Sequence, residues 1–257
     1  MITFHTAPQG SPEWLAARRG VCTGSRFKDA RDRSDGLDDK QRTYVDAIRA
    51  GKTETEARAE AGYKSAPTSE TVAKAIAGTL EKKWGAKAIG YARDLARERL
   101  GGQAPDAFIR DVYRDTGHAS EKDARVAMEA KFGLLIDEAG FAVTEDRRFG
   151  LSVDGLIDPD GTWECKAMVS SNTLFDALVD GDIQEYRDQC QGGLWLTGRK
   201  YALLTLWAPD FERPMLPPIR VERDEAYIEA LEEDLMAFER LVQDHMTRLS
   251  KALSVML

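Results

Sequence analysis

The stretch Leu151-Ser-Val-Asp154-Gly-Leu-Ile157-Asp-Pro-Asp-Gly161-Thr-Trp-Glu164-Cys-Lys166-Ala-Met168 reads as strand, turn, strand, with short apolar bursts on either side of an Asp-Pro-Asp-Gly turn. Side chains alternate along a strand, so Glu164 and Lys166 share one face while Trp163, Cys165 and Ala167 take the other, which sends the Cys165 thiol to the core. A hairpin over 158–161 brings Asp154 alongside. Two carboxylates and an ammonium on one face suit a hard cation such as Mg²⁺, which takes oxygen ligands. Such a cation neutralises a phosphodiester and lowers the pKa of a bound water, and a neighbouring lysine can orient or deprotonate that water. Spacing alone leaves a second reading open, an exposed cross-strand salt bridge.

Outward from this hairpin, Phe141–Thr144 alternates as a strand, and 88–101 and 122–135 carry Ala and Leu at helical spacing. A helix is predicted over 183–196, a buried-type strand over 200–207, and a long amphipathic helix from Tyr227 through Leu231, Leu235, Phe238, Val242 and Leu253. Helices around antiparallel and mixed strands give an α/β or α+β class. Residues 34–88 read as an inserted helical module, leaving 1–33 and 89–257 as the core. In the module, Asp38-Asp39 caps one helix, Thr53-x-x-Glu56 forms a capping box for a second, and Ser69 opens a third through Val72, Ile76 and Leu80.

The chain has 257 residues, 36 Lys and Arg against 44 Asp and Glu, and a net charge of −8. That length supports one sizeable core with an added module. No apolar run reaches the roughly 18 residues of a membrane helix, and the first residues lack a signal-peptide pattern. Three widely spaced cysteines and three scattered histidines argue against a disulfide framework and a Cys/His zinc site. A reducing, cytoplasmic setting is expected, with any metal on carboxylates. The acidic balance disfavours plain coating of nucleic acid, although 1–33 forms a local cation patch.

With these flanks, VDGLID followed by ECK resembles the PD-(D/E)xK nuclease core, and the wider chain resembles the lambda exonuclease or YqaJ family of phage recombination nucleases. Four blocks carry the likeness in order: Trp14-Leu-Ala-Ala-Arg18-Arg-Gly-Val-Cys-Thr23-Gly-Ser25; Gly117-His-Ala-Ser-Glu121-Lys-Asp-Ala-Arg125; Ser152-Val-Asp154-Gly155 with Glu164-Cys165-Lys166; and Tyr186-Arg-Asp-Gln189-Cys-Gln191. The resemblance implies a restriction-endonuclease-like core, with a central mixed sheet flanked by helices, and a Mg²⁺-dependent 5′-to-3′ exonuclease on linear double-stranded DNA. It would leave 3′ single-stranded tails for a single-strand annealing protein, working as a ring-shaped homotrimer in the host bacterial cytoplasm.

By the same resemblance, Asp154, Glu164 and the Cys165 carbonyl hold one Mg²⁺, Glu121 completes a two-metal site, and Lys166 positions the water, with Mn²⁺ as an alternative ion. Arg18, Thr23 and Ser25 would hold the 5′-phosphate, with Ser152 and Gln189 near the scissile strand. An arginine fork and two hydroxyls suit that task. Plainer roles compete: Glu121 as a first-turn glutamate favoured by the helix dipole, and Gln189 and Gln191 as core-edge amides. The family usually has no helical module after its first block. The stretch KQRTYVDAIRAGKTETEARAEAGY resembles the helix-turn-helix of phage terminase small subunits, which implies DNA contact. Two alternatives remain: a DNA-binding or packaging protein with a degenerate nuclease core, and a PD-(D/E)xK endonuclease.

Overall fold

The computed structural model describes residues 2–102, 107–167 and 170–254, with backbone alone over 107–119. The chain opens with β1 (Ile2–His5), α1 (Pro12–Arg18), β2 (Cys22–Thr23), a 3₁₀ turn at Gly24–Arg26 and α2 (Phe27–Ala30). Next come β3 (Arg33–Ser34), α3 (Asp39–Arg49), α4 (Glu54–Ala61), α5 (Glu70–Ile76) and β4 (Lys83–Trp84). Then follow α6 (Ala86–Arg99), α7 (Ala107–Phe132), β5 (Phe141–Thr144), β6 (Phe149–Leu151), β7 (Gly155–Ile157) and β8 (Gly161–Ala167). The chain ends with α8 (Ser171–Leu178), α9 (Gln184–Thr197), β9 (Tyr201–Trp207), β10 (Ile219–Glu222) and α10 (Glu225–Ser254). It divides into two compact units, 1–31 with 90–257, and 32–89. Among the described residues no helix is long and apolar enough to cross a membrane.

In the larger unit the strands form two four-stranded ladders, β1-β5-β6-β2 and β10-β9-β8-β7. Both are mixed, since β2 runs parallel to β6 and β8 parallel to β9 while the other pairs are antiparallel. Strand β8 is the spine of the second ladder, in register with β9 from Gly161↔Tyr201 to Ala167↔Trp207. One face of this ladder puts Trp163, Cys165 and Trp207 against Ala124 and Met128 of α7. The other puts Leu204 and Leu206 against Cys190 and Leu194 of α9. The buried Trp163 indole donates to Thr205 Oγ1 at 3.0 Å, which satisfies its one polar atom.

In the larger unit two predicted elements differ in extent by more than two residues. The apolar run 151–157 is broken: β6 stops at Leu151 and β7 starts at Gly155, because Ser152 and Asp154 leave the ladder for partners elsewhere. The helix expected over 122–135 begins at Ala107 and ends at Phe132. Gly133, at φ +62°, supplies the left-handed residue that closes it. Gly117, a poor helix former, hid its continuity in the sequence. Met168, which the pattern adds to β8, lies outside the described residues. The final helix α10 buries the expected stripe of Ile228, Leu231, Leu235, Phe238 and Val242. It also buries Glu239, held by the Arg99 guanidinium at 2.6 and 2.9 Å.

The smaller unit has its own core of Tyr44, Val45, Ala57, Ala61, Val72 and Ala75. Its helices start where the caps predict, with reciprocal capping boxes at Asp38/Gln41 and Thr53/Glu56 and with Ser69 Oγ accepting from Val72 N. The third helix stops at Ile76, short of Leu80, as Gly78 turns the chain at φ +73°. Leu80 still packs on the same core. At the ends of this unit β3 and β4 pair, Arg33↔Trp84 and Ser34↔Lys83, and the Arg33 guanidinium lies 4.3 Å from the Trp84 ring centre. Asp32 closes the pair by accepting from Gly85 N through its carbonyl at 2.8 Å and from Lys87 N through its carboxylate at 3.0 Å.

Candidate active site

The β7–β8 hairpin pairs Gly155 with Trp163, so Asp154, one residue further out, stands beside Glu164 and Cys165. Its Oδ2 accepts the Cys165 amide at 2.8 Å. Gly155 is required there: a Cβ would lie 2.2 Å from Ile136 Cγ2. Glu164 and Lys166 both point to the α9 side of β8, where Lys166 Nζ donates to Glu164 Oε1 at 2.7 Å and to Gln189 Oε1 at 2.9 Å. The Gln189 side-chain nitrogen donates in turn to Glu164 Oε1. Asp154, Glu164, Lys166 and Gln189 thus form one cluster. Glu164 is only 2% exposed, which removes the reading of an exposed surface salt bridge.

Electrostatics in the cluster is unbalanced. Burial, then the charge of Asp154, pushes both Glu164 and Glu121 from the usual 4.5 up to about 8. Burial works against the Lys166 ammonium, yet Glu164 and Asp154 hold it above the ordinary lysine range. The Cys165 thiol is raised by burial and by Asp154, which excludes it as a nucleophile near neutral pH.

Glu121 sits in the middle of α7, far from the first turn, so the dipole account of it fails. Its helix packs on the face of β8 opposite Glu164, and Asp154 is the carboxylate whose charge reaches both. Among the described residues no group of three Asp, Glu, His or Cys side chains is gathered at one point. The donor chemistry nevertheless fits a hard divalent cation. Three carboxylates lie within reach of one another's charge, and oxygen donors of this kind suit a hard divalent cation.

The first block is tied through Trp14 to the segment just before Asp154. Trp14 Nε1 donates to Ser152 Oγ at 2.9 Å, two residues before Asp154, and the Arg18 guanidinium lies 4.1 Å from the Trp14 ring centre. Arg18 is half-buried at the end of α1, whose start is capped by Ser11. Thr23 is buried and pairs with Gly150 of β6, its amide donating to Tyr91 Oη at 2.8 Å. Ser25 is exposed on the following turn.

Two glutamines on α9 have different fates. Gln189 belongs to the cluster, whereas Gln191 is an internal brace, donating to Glu222 O at 2.8 Å and accepting from Asp224 N at 3.0 Å. Sequence reading missed the Trp14 indole as a support, and it missed Gly192. A Cβ on Gly192 would lie 2.6 Å from Phe27 Cε2, so α9 approaches α2 closely; the Gly-Gly pair inside a helical stretch was the available signal. It also missed the buried Asp188.

A family model described as the YqaJ-like viral recombinase domain matches residues 13–200. Among solved structures, an alkaline exonuclease (LHK-Exo) from Laribacter hongkongensis is similar at 21% identity, over 96% of this chain and 100% of that one, with a TM-score of 0.62. Its complex with dAMP is similar at 22% identity, over the same shares and with the same TM-score of 0.62. A phage related exonuclease from Haemophilus somnus 129PT is similar at 16% identity, over 72% of this chain and 91% of that one, with a TM-score of 0.53. At these identities the likeness is one of fold. No curated protein matches the chain significantly.

Proposed function

Because the chain belongs to the YqaJ-like viral recombinase family, we propose that it is a Mg²⁺-dependent 5′-to-3′ exonuclease on linear double-stranded DNA. The observation that carries this reading is the Asp154–Glu164–Lys166–Gln189 cluster, built on β8, α9 and the residue before β7 around the buried Glu164. Asp154 and Glu164, with the Cys165 carbonyl and Glu121, would hold two Mg²⁺, or Mn²⁺ in their place. Bound there, the metal supplies neutralisation of the phosphodiester and a water of lowered pKa.

The chain's own groups do the rest. Lys166, held as an ammonium, orients the attacking water by hydrogen bonding, and Gln189 fixes the lysine. Arg18, stacked on Trp14, Thr23 and Ser25 receive the 5′-phosphate as a bidentate fork and hydroxyl donors. Ser152, fixed by the Trp14 indole, lies beside the scissile strand. The product is a duplex with a 3′ single-stranded tail, handed to a single-strand annealing protein. A ring-shaped homotrimer around the DNA reconciles a net charge of −8 with DNA binding, since only the channel needs to be basic.

The test is digestion of a 5′-phosphorylated linear duplex beside 5′-hydroxyl and closed circular DNA, with Mg²⁺ or EDTA. Loss of the phosphorylated linear strand alone, abolished by EDTA and reduced at least about 10³-fold by Glu164→Gln, is expected. Cutting of the circle would instead identify an endonuclease, and no cleavage in any lane would end the nuclease reading.

A further inference from the structure

Asp188, the residue before Gln189, is 8% exposed and carries a carboxylate into the protein. It accepts from Tyr227 Oη at 2.6 Å and from Arg31 Nη1. The same guanidinium donates through Nε to Asp234 Oδ2 at 2.9 Å and through Nη1 to Tyr227 Oη at 3.1 Å. A buried charge is costly unless its partners are in place, so this group of four holds only one arrangement of α2, α9 and α10. Neighbouring residues pull the same way. Arg187 pairs with Asp224 at 3.0 Å and stacks 4.4 Å from the Tyr227 ring centre, and Gln191 braces 222–224.

At about 100° per residue, positions 187, 188 and 191 share one side of α9 and position 189 lies away from them. We propose that the Arg31–Asp188–Tyr227 network sets the axial rotation of α9 and so holds Gln189 on Lys166 and Glu164. These three are positioning residues, and their effect on catalysis rests on the exonuclease reading above. A side chain about 5 to 6 Å from the helix axis moves by about 2 Å for a rotation of roughly 20°. That displacement takes Gln189 out of hydrogen-bond reach of both partners, and misplacements of about 1 Å are costly in rate. Gly192, in close approach to Phe27, allows α9 to sit near enough to α2 for Arg31 to reach Asp188.

The experiment makes Asp188→Asn and Tyr227→Phe in the full chain, each alone and combined with Gln189→Ala. It reads kcat and KM on 5′-phosphorylated linear duplex, Tm, and the side-chain amide NMR resonance of Gln189, assigned by its disappearance in Gln189→Ala. Asp188→Asn is expected to lower kcat about tenfold with KM within about twofold, to shift the Gln189 resonance, and to cost nothing further once Gln189 is alanine. Tyr227→Phe keeps the Arg31–Asp188 pair and gives the same pattern at smaller amplitude, which guards against a variant that fails to fold. A full tenfold loss repeated in the Gln189→Ala background, or a Gln189 resonance unmoved in both variants, would overturn the proposal. If the wild-type protein digests no DNA, the exonuclease reading falls, while the resonance still decides whether Asp188 governs Gln189.

Discussion

Glu164 is held in its buried place by an ammonium and an amide, and its proton affinity is raised by that burial and then by Asp154, so its protonation is tied to folding. Glu164 and Glu121 both rise from 4.5 to about 8. Between those values the folded chain binds more protons than the unfolded one, so their contribution is complete below about pH 4.5 and is lost as pH rises to about 8. Asp146, lowered to about 2 against its own burial by bonds from Arg148 and Thr144, has the opposite dependence but acts only below about pH 4. In EDTA, Tm is therefore expected to fall between pH 5 and pH 8, and Mg²⁺ to restore it most at the alkaline end. A Tm in EDTA that climbs over that interval would contradict this account. The alternation that put Glu164 and Lys166 together was legible because strand geometry is local. The Trp14–Ser152 bond was not, since its partners are 138 residues apart.

Helix α9 lies within one residue of its sequence expectation at each end, because three-to-four spacing and a terminal Gly198 mark it. The elements that escaped were β1, β2, β3, β4, β10, α1, α2 and α8, most of them too short for a period to register. Glycine at element scale gives two opposed predictions. In Gly192→Ala the new methyl must displace the Phe27 ring, costing about 1 to 3 kcal/mol against a helix-propensity gain of about 1 kcal/mol. Gly90 lies inside α6 with no atom within 4 Å of an added Cβ, so Gly90→Ala is expected to gain about 0.5 to 1 kcal/mol. Urea unfolding of both variants checks the pair, and equal shifts of one sign would refute the packing argument.

At the scale of the molecule, the 32–89 unit carries its own apolar core and its own helix caps, so it holds what a small fold needs. Excised, residues 32–89 are expected to give a helical circular dichroism spectrum and a cooperative, low-temperature melt; a spectrum of random coil would show that the unit depends on the rest of the chain. The helices of this unit could be read from Asp38, Thr53 and Ser69, whose capping chemistry is encoded within four residues. What the larger unit does with Arg31 and Asp188 could not, because only folding brings residues 157 apart into contact.

The paired β3 and β4 have a consequence for inheritance as well as for folding. Antiparallel partners lie only about 5 Å apart at their Cα atoms, so the chain leaves and returns at almost the same point. A gene with such a socket tolerates exchange: two recombination junctions, at codons 33 and 84, would swap the insert for another sequence whose ends meet as closely.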